Sequence, residues 1–70
     1  MEKHLYVYYG EFLGEFGLSV MAGSGITTEA IEACTESFTT ENGTYHYQAE
    51  YRKEAFAYLE KQGVKVPITN

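Results

Sequence analysis

Apolar and polar residues alternate along the first 22 positions with the two-residue period of β-strands. The first predicted strand carries four such residues on one face: Leu5, Val7, Tyr9 and Leu13. The following segment carries four more: Phe16, Leu18, Val20 and Ala22. Two alternating segments separated by glycine predict a β-hairpin.

The turn of this hairpin has two candidate positions, because Gly-Glu-Phe occurs at 10–12 and again at 14–16. A type II′ turn at Gly14-Glu15 has glycine at the position that needs it, and Gly10-Glu11 competes with it. The Gly14 turn predicts two cross-strand pairs, Leu13 with Phe16 and Tyr9 with Val20.

A short helix and a second hairpin are predicted next. Either Thr27 or Thr28 suits the N-cap of a helix over about 28–36, with Ala30, Ile31 and Cys34 at helical spacing. Asn42-Gly43 is a type I′ turn dipeptide. Its Thr-rich, aromatic flanks favour strands, with Phe38 opposite Tyr47 and Thr40 opposite Tyr45. The alternative makes 34–48 helical, with Gly43 as the C-cap of a longer helix and Thr44 as the next N-cap.

The last predicted element is an amphipathic helix over about 50–62. Its apolar stripe consists of Tyr51, Ala55, Tyr58 and Leu59, with Phe56 beside it. Gly63 predicts a Schellman C-cap in which Leu59 contacts Val64. Residues 64–70 form a short extended tail, either an edge strand or a strap over the sheet, because Pro67 lacks an N–H.

Together these elements predict one small α+β domain over residues 1–70, with an antiparallel sheet built from two hairpins and packed with two helices. A chain of this length buries only about 60% of the surface that its unfolded form exposes. The single cysteine, Cys34, forms no intramolecular disulfide. Packing or self-association must therefore stabilise the fold, and a reducing, cytoplasmic location is expected.

Charge is distributed unevenly over the chain. Residues 4 to 51 contain seven Glu and neither Lys nor Arg, whereas residues 52 to 70 carry a net charge of +2, and the total is −5. A basic groove for nucleic acid is therefore not expected. No apolar run approaches the roughly 20 residues of a membrane span, so membrane residence is not expected either. The acidic stretch instead favours a basic protein surface as partner, although net charge also serves solubility alone.

The residues that carry chemistry do not form a recognisable catalytic or metal motif. All ten carboxylates are Glu, and the two histidines, His4 and His46, are far apart in sequence. Cys34 has no neighbouring base, and its helical phase indicates a buried apolar role. We expect no enzyme activity, no cofactor and no metal site.

A glycine-rich loop before the first helix offers an alternative function in small-ligand or anion binding. It consists of Gly23, Ser24, Gly25, Thr27 and Thr28. Backbone amides at a strand-to-helix connection bind anions in many proteins. The loop lacks the lysine of a P-loop and the third glycine of a dinucleotide fingerprint, so a plain connection is the competing interpretation.

Seven tyrosines point to recognition instead. Tyr6, Tyr8, Phe12 and Met21 lie on the face of the first hairpin opposite Val7, and this face needs a cover. The C-terminal helix, a second copy in a homodimer, or a foreign protein would supply one. We predict a partner surface formed by these four residues with Glu29, Glu32 and Glu36 at its rim.

The predicted function is therefore that of a small acidic protein-binding domain, an inhibitor or adaptor that docks on a basic, nucleic-acid-handling protein. In length, acidity and lack of catalytic motifs, the chain is similar to small phage-encoded inhibitors such as anti-CRISPR and other anti-defence proteins. That similarity implies action in the cytoplasm of an infected host cell.

Overall fold

A computed structural model describes residues 3–12 and 14–67 of the chain. Strand β1 spans His4–Phe12, β2 spans Glu15–Ala22, β3 spans Glu36–Thr40 and β4 spans Gly43–Tyr47. Helix α1 spans Thr28–Ala33 and α2 spans Arg52–Lys61, and single 3-10 turns precede them at Gly23–Gly25 and Ala49–Tyr51. The α+β class, the single compact unit, both hairpins and both helices are confirmed. In the described residues no helix is long and apolar enough to cross a membrane.

The four strands form one sheet in the order β2-β1-β4-β3. Pairing is antiparallel within each hairpin, as predicted, but the two hairpins join through a parallel pairing of β1 with β4. The sheet is therefore mixed. The long connection from β2 to β3, which contains α1, carries the chain from one edge of the sheet to the other and makes the parallel join possible.

Both hairpin registers differ by two residues from the predicted ones. Tyr9 lies opposite Leu18 rather than Val20, and Phe38 lies opposite Tyr45 rather than Tyr47. The predicted pair of Leu13 with Phe16 falls partly outside the described residues, and Phe16 pairs with Glu11. A two-residue shift leaves every side chain on its predicted face, because the side-chain period of a strand is two.

Local hydrogen bonds explain the register of the second hairpin. The Thr40 hydroxyl accepts a bond from the Asn42 N–H and donates one to the Gly43 carbonyl, at 3.0 and 3.1 Å. Thr40 and Gly43 are thus the last pair, with Glu41 and Asn42 between them. Gly43, which the sequence places in the turn, instead begins β4.

The main core lies between α2 and one face of the sheet, here called the α2 face. Its buried members are Val7, Tyr45, Tyr47, Ala55, Phe56 and Leu59. Val64 and Val66 pack against them, so the described part of the tail acts as a strap and forms no strand. The Val64 N–H donates to the Leu59 carbonyl at 2.9 Å and Gly63 has φ of 85°, which confirms the Schellman cap.

Helix α1 lies against the opposite face, here called the α1 face. Ala30 is fully buried there, and the Cys34 thiol lies 3.5 Å from the Val7 carbonyl oxygen. The helix ends at Ala33, three residues earlier than predicted, because Glu36 is drawn into β3 by pairing with Tyr47.

Candidate functional site

The aromatic surface predicted from the sequence lies on the α1 face. Tyr6 pairs directly with Met21 across β1 and β2, and both side chains are half-buried, as is Tyr8. Phe12 ends β1, and its side chain lies outside what the structure describes. The structure thus gathers Tyr6, Tyr8 and Met21 on one face, where α1 already contributes part of the cover.

Tyr8 is hydrogen-bonded to helix α1. Its hydroxyl donates a hydrogen bond of 2.9 Å to a carboxylate oxygen of Glu29, and this bond is the main reason that the pKa of Tyr8 is raised above 10.0. The Tyr8 ring also lies over Gly10, where a Cβ atom would approach it within 2.5 Å. Tyr8 and Glu29, both predicted to contact a partner, are therefore hydrogen-bonded to each other within the same chain.

The three rim carboxylates predicted from the sequence do not lie together. Glu29 and Glu32 are exposed on α1, whereas Glu36 lies on the α2 face, in β3. A carboxylate oxygen of Glu36 is 4.0 Å from a guanidinium nitrogen of Arg52. Burial raises the pKa of Tyr47, and a hydrogen bond with Glu36 raises it further. Glu36 thus interacts with Arg52 and Tyr47 on the α2 face and not with α1.

A second aromatic surface, on the face of the first hairpin that carries Val7, lies at the far end of that hairpin. Phe16 is 69% exposed, and its ring centroid is 5.9 Å from that of Tyr9. Tyr9 in turn stacks on Tyr51 at 4.6 Å, with 21° between the ring planes. The three rings form a row that runs from the edge strand β2 across β1 to the start of α2.

This row lies where the first hairpin extends past its neighbour. The β1–β4 pairing reaches only as far as Val7 and Tyr47, although the Tyr9 N–H still donates to the Gln48 side chain at 2.7 Å. Beyond Tyr9, the described residues from Gly10 to Gly17 pair only within the hairpin.

Three carboxylates lie next to members of the aromatic row in strand register or in sequence. Glu11 pairs directly with Phe16, and Glu50 precedes Tyr51. Glu15 is the first residue of β2, next to Phe16 at the turn, and it pairs with Phe12 on the opposite face of the hairpin. All three are exposed. We call the six residues together the hairpin-tip surface: Tyr9, Glu11, Glu15, Phe16, Glu50 and Tyr51. The sequence offers one signal of it, the glycines that flank Phe16, since Gly14 and Gly17 are typical of a turn region rather than a core.

The glycine-rich loop considered for anions is occupied by local structure. Gly23–Gly25 form a 3-10 turn, and Thr27 is the N-cap of α1, where its hydroxyl accepts a bond of 3.1 Å from the Ala30 N–H. Thr28 is exposed, and Glu29 adds a negative charge in the first turn. The Thr27 cap uses the Ala30 N–H, and anion binding at this loop stays a prediction.

The two histidines meet in the structure although 42 residues separate them. His4 Nδ1 and His46 Nε2 are 2.9 Å apart on the α1 face. Burial lowers the pKa of His46, and the charge of His4 lowers it further. No group of three or more His, Cys, Asp or Glu side chains suited to a metal ion occurs in residues 3–12 and 14–67.

Compared with known proteins, the chain matches no protein-family model, no curated protein and no solved structure.

Proposed function

We propose that this chain is a protein-binding domain, an inhibitor or adaptor, that docks through its hairpin-tip surface on a basic protein. The observation that carries the proposal is Phe16, which is 69% exposed at the end of a row of three neighbouring rings and pairs across the hairpin with Glu11. Aromatic side chains, phenylalanine among them, are enriched at protein interfaces.

The position of Phe16 favours an intermolecular role over a structural one. Its neighbour Tyr9 is already packed on Tyr51, so Phe16 adds an apolar side chain outside that contact. The strand that carries it, β2, is an edge of the sheet, where backbone groups are open to a partner. A partner that covers Phe16 would remove its apolar surface from water, at roughly 25 cal/mol per Å².

The charges around the row select the chemistry of the partner. Glu11, Glu15 and Glu50 are exposed, and the sequence has no Lys or Arg between residues 4 and 51. Arg side chains suit such a surface, because a guanidinium pairs with carboxylates and also stacks on aromatic rings. Proteins that handle nucleic acids present basic surfaces, and we propose a protein of that class as the target of a phage-type inhibitor.

The test is affinity purification from the organism in which the gene occurs, with four forms of the full chain. The wild type is compared with Phe16→Ala, with the double variant Glu11→Lys/Glu15→Lys, and with Glu41→Lys. Glu41 is an exposed carboxylate in the turn of the second hairpin, at the opposite end of the strands. Glu41→Lys therefore controls for the effect of a Glu-to-Lys change that lies away from the proposed surface.

A basic protein should be retained by the wild type and by Glu41→Lys, and lost with the other two variants. With the purified partner, Phe16→Ala should weaken binding by at least about 30-fold, as expected of an interface centre. The Glu11→Lys/Glu15→Lys variant should slow association and reduce its dependence on salt. Equal retention by all four forms would refute the hairpin-tip proposal, and a native mass showing a dimer that Phe16→Ala dissociates would assign the surface to self-association.

A further inference from the structure

His4 and His46 form a pair of imidazoles on the α1 face. The parallel register places His4 opposite Thr44 and Tyr6 opposite His46, so that the two histidines are diagonal neighbours on adjacent strands. Their facing nitrogens, Nδ1 of His4 and Nε2 of His46, are 2.9 Å apart, and the ring centroids are 5.1 Å apart. His4 is exposed and His46 is half-buried, so both are in reach of solvent.

One of the two rings is held in place by a third residue. The His46 ring stacks on Tyr6 with centroids 4.5 Å apart and 13° between the planes. The strand pairing fixes both backbones as well. A pair held in this way loses less side-chain freedom on binding a ligand than two exposed side chains on a loop.

We propose that His4 and His46 together bind one divalent transition-metal ion of the Zn²⁺, Ni²⁺ and Cu²⁺ class. Imidazole nitrogen is the common protein ligand of these metals. With metal–nitrogen bonds of about 2.0–2.1 Å, two ligands stand about 2.9 Å apart at a right angle and about 3.3 Å apart at the tetrahedral angle. The observed separation of 2.9 Å lies at the short end of that interval, and seating an ion requires each ring to turn its facing nitrogen away from the other nitrogen and toward the ion.

Protons balance without any further reactant. Between two neutral imidazoles, one facing nitrogen donates a proton and the other accepts it. When both nitrogens bind the ion, the donor ring carries its proton on its other nitrogen, which is Nε2 for His4 or Nδ1 for His46. The ion thus replaces the shared hydrogen bond and the rings remain neutral.

No third His, Cys, Asp or Glu side chain completes a cluster within the described residues. The two imidazoles are therefore the ligands that the described part of the chain supplies, and by the usual order of metal affinities Cu²⁺ binds more tightly than Ni²⁺ or Zn²⁺. The net charge of −5 adds a weak general attraction for cations.

The test is titration of the purified full chain with NiCl₂ and with ZnCl₂, followed by calorimetry and by NMR of the histidine rings. Binding should saturate at about one ion per chain, and the ring resonances of His4 and His46 should shift together along the same curve. Zn²⁺ should also raise the thermal unfolding midpoint, since an ion that binds the folded chain stabilises it.

Three variants separate chelation from independent binding: His4→Gln, His46→Gln and the double variant. Because the second ligand acts through its effective concentration, either single substitution should weaken binding by roughly 100-fold, close to the effect of the double variant. Glu60→Gln, which removes an exposed carboxylate on α2, on the other face of the sheet, should bind as the wild type does. Circular dichroism establishes that each variant is folded.

Two results would overturn the proposal. In one, each single variant retains an ion with nearly unchanged affinity, which would show two separate ligands rather than one site. In the other, the ring resonances of the wild type stay unmoved at saturating metal. Neither result bears on the hairpin-tip surface, which shares no residue with the histidine pair.

Discussion

Cys34 is a buried thiol at the C-terminal end of α1. It is 8% exposed, and its sulfur lies 3.5 Å from the Val7 carbonyl oxygen. Burial raises the pKa of this thiol from 9.0 to about 11. The reactive thiolate is thus rare at neutral pH, which fits the apolar role that its spacing predicts.

We expect the folded chain to resist alkylation at this residue. A pKa of about 11 instead of 9.0 lowers the thiolate fraction at pH 8 by roughly 100-fold, and burial slows the reaction further. Iodoacetamide labelling, followed by mass spectrometry, should be at least that much slower in buffer than in 6 M urea. Similar rates in the two media would show that the thiol is accessible in the folded state.

The same shift has a defined effect on stability. A thiol whose pKa is raised by folding is favoured in its protonated form, so its contribution is complete below pH 9 and is lost as the pH rises from 9 through 11. Cys34→Ser, which has no such thiol, should therefore lose less free energy of unfolding than the wild type between pH 9 and pH 11. Urea unfolding of both proteins at each pH measures the difference.

At the scale of single elements, the second hairpin shows why a strong turn signal gave the wrong register. Asn42-Gly43 is a typical type I′ dipeptide, and glycine is favoured in it for its positive φ. In the structure Gly43 does have a positive φ, of 136°, but it is the first residue of β4 rather than a central residue of the turn. Lys3, which precedes β1, lies beside Gly43 on the neighbouring strand. Its carbonyl oxygen would be 2.6 Å from a Cβ atom at position 43.

Gly43→Ala should therefore destabilise the fold, by roughly 1–3 kcal/mol from backbone strain and added crowding at Lys3. Urea unfolding followed by circular dichroism measures the change. Gly17→Ala is the matched control in the first hairpin, because nothing lies within 4 Å of its Cβ position. Its stability should be unchanged or higher, since alanine restricts the unfolded chain more than glycine does.

If Gly43→Ala were as stable as the wild type, the close approach of Lys3 to β4 would be absent. Loss of stability in both variants alike would indicate a general intolerance of the strands rather than a contact at Gly43.

Elements defined by local signals were predictable, and those that depend on distant partners were not. The C-terminal helix, its apolar stripe and the Gly63 cap follow from residues next to one another in sequence. The end of α1 does not, because Glu36 leaves the helix to pair with Tyr47 in β4. In a six-residue helix, tertiary pairing outweighs helical propensity.

For the whole molecule, the decisive unpredicted feature is the parallel pairing of β1 with β4. Two consecutive hairpins suggest a purely antiparallel sheet, and only the length of the β2–β3 connection permits the other join. That join places His4 beside His46 and brings Tyr51 to Tyr9. The histidine pair and the contact of Tyr9 with Tyr51 are therefore products of long-range pairing, which the sequence pattern does not reveal. The recognition surface that the sequence places on Tyr6, Tyr8, Phe12 and Met21 stays a prediction.

Comparison of two apolar residues tests the division between core and recognition surface. Leu59 is fully buried beneath the sheet, whereas Phe16 is 69% exposed at the hairpin tip. Leu59→Ala should cost about 2–5 kcal/mol, because it leaves a cavity in the core. Phe16→Ala should change the free energy of unfolding by no more than about 0.5 kcal/mol, as is usual for exposed positions.

Chemical denaturation of both variants decides between two roles for Phe16. A small cost at Phe16 beside a large one at Leu59 means that the fold does not need the aromatic side chain, which leaves it available to a partner. A cost at Phe16 comparable to that at Leu59 would place the ring in the core in solution. The row of Tyr9, Phe16 and Tyr51 would then be a stabilising cluster, and the hairpin-tip surface would lose its centre.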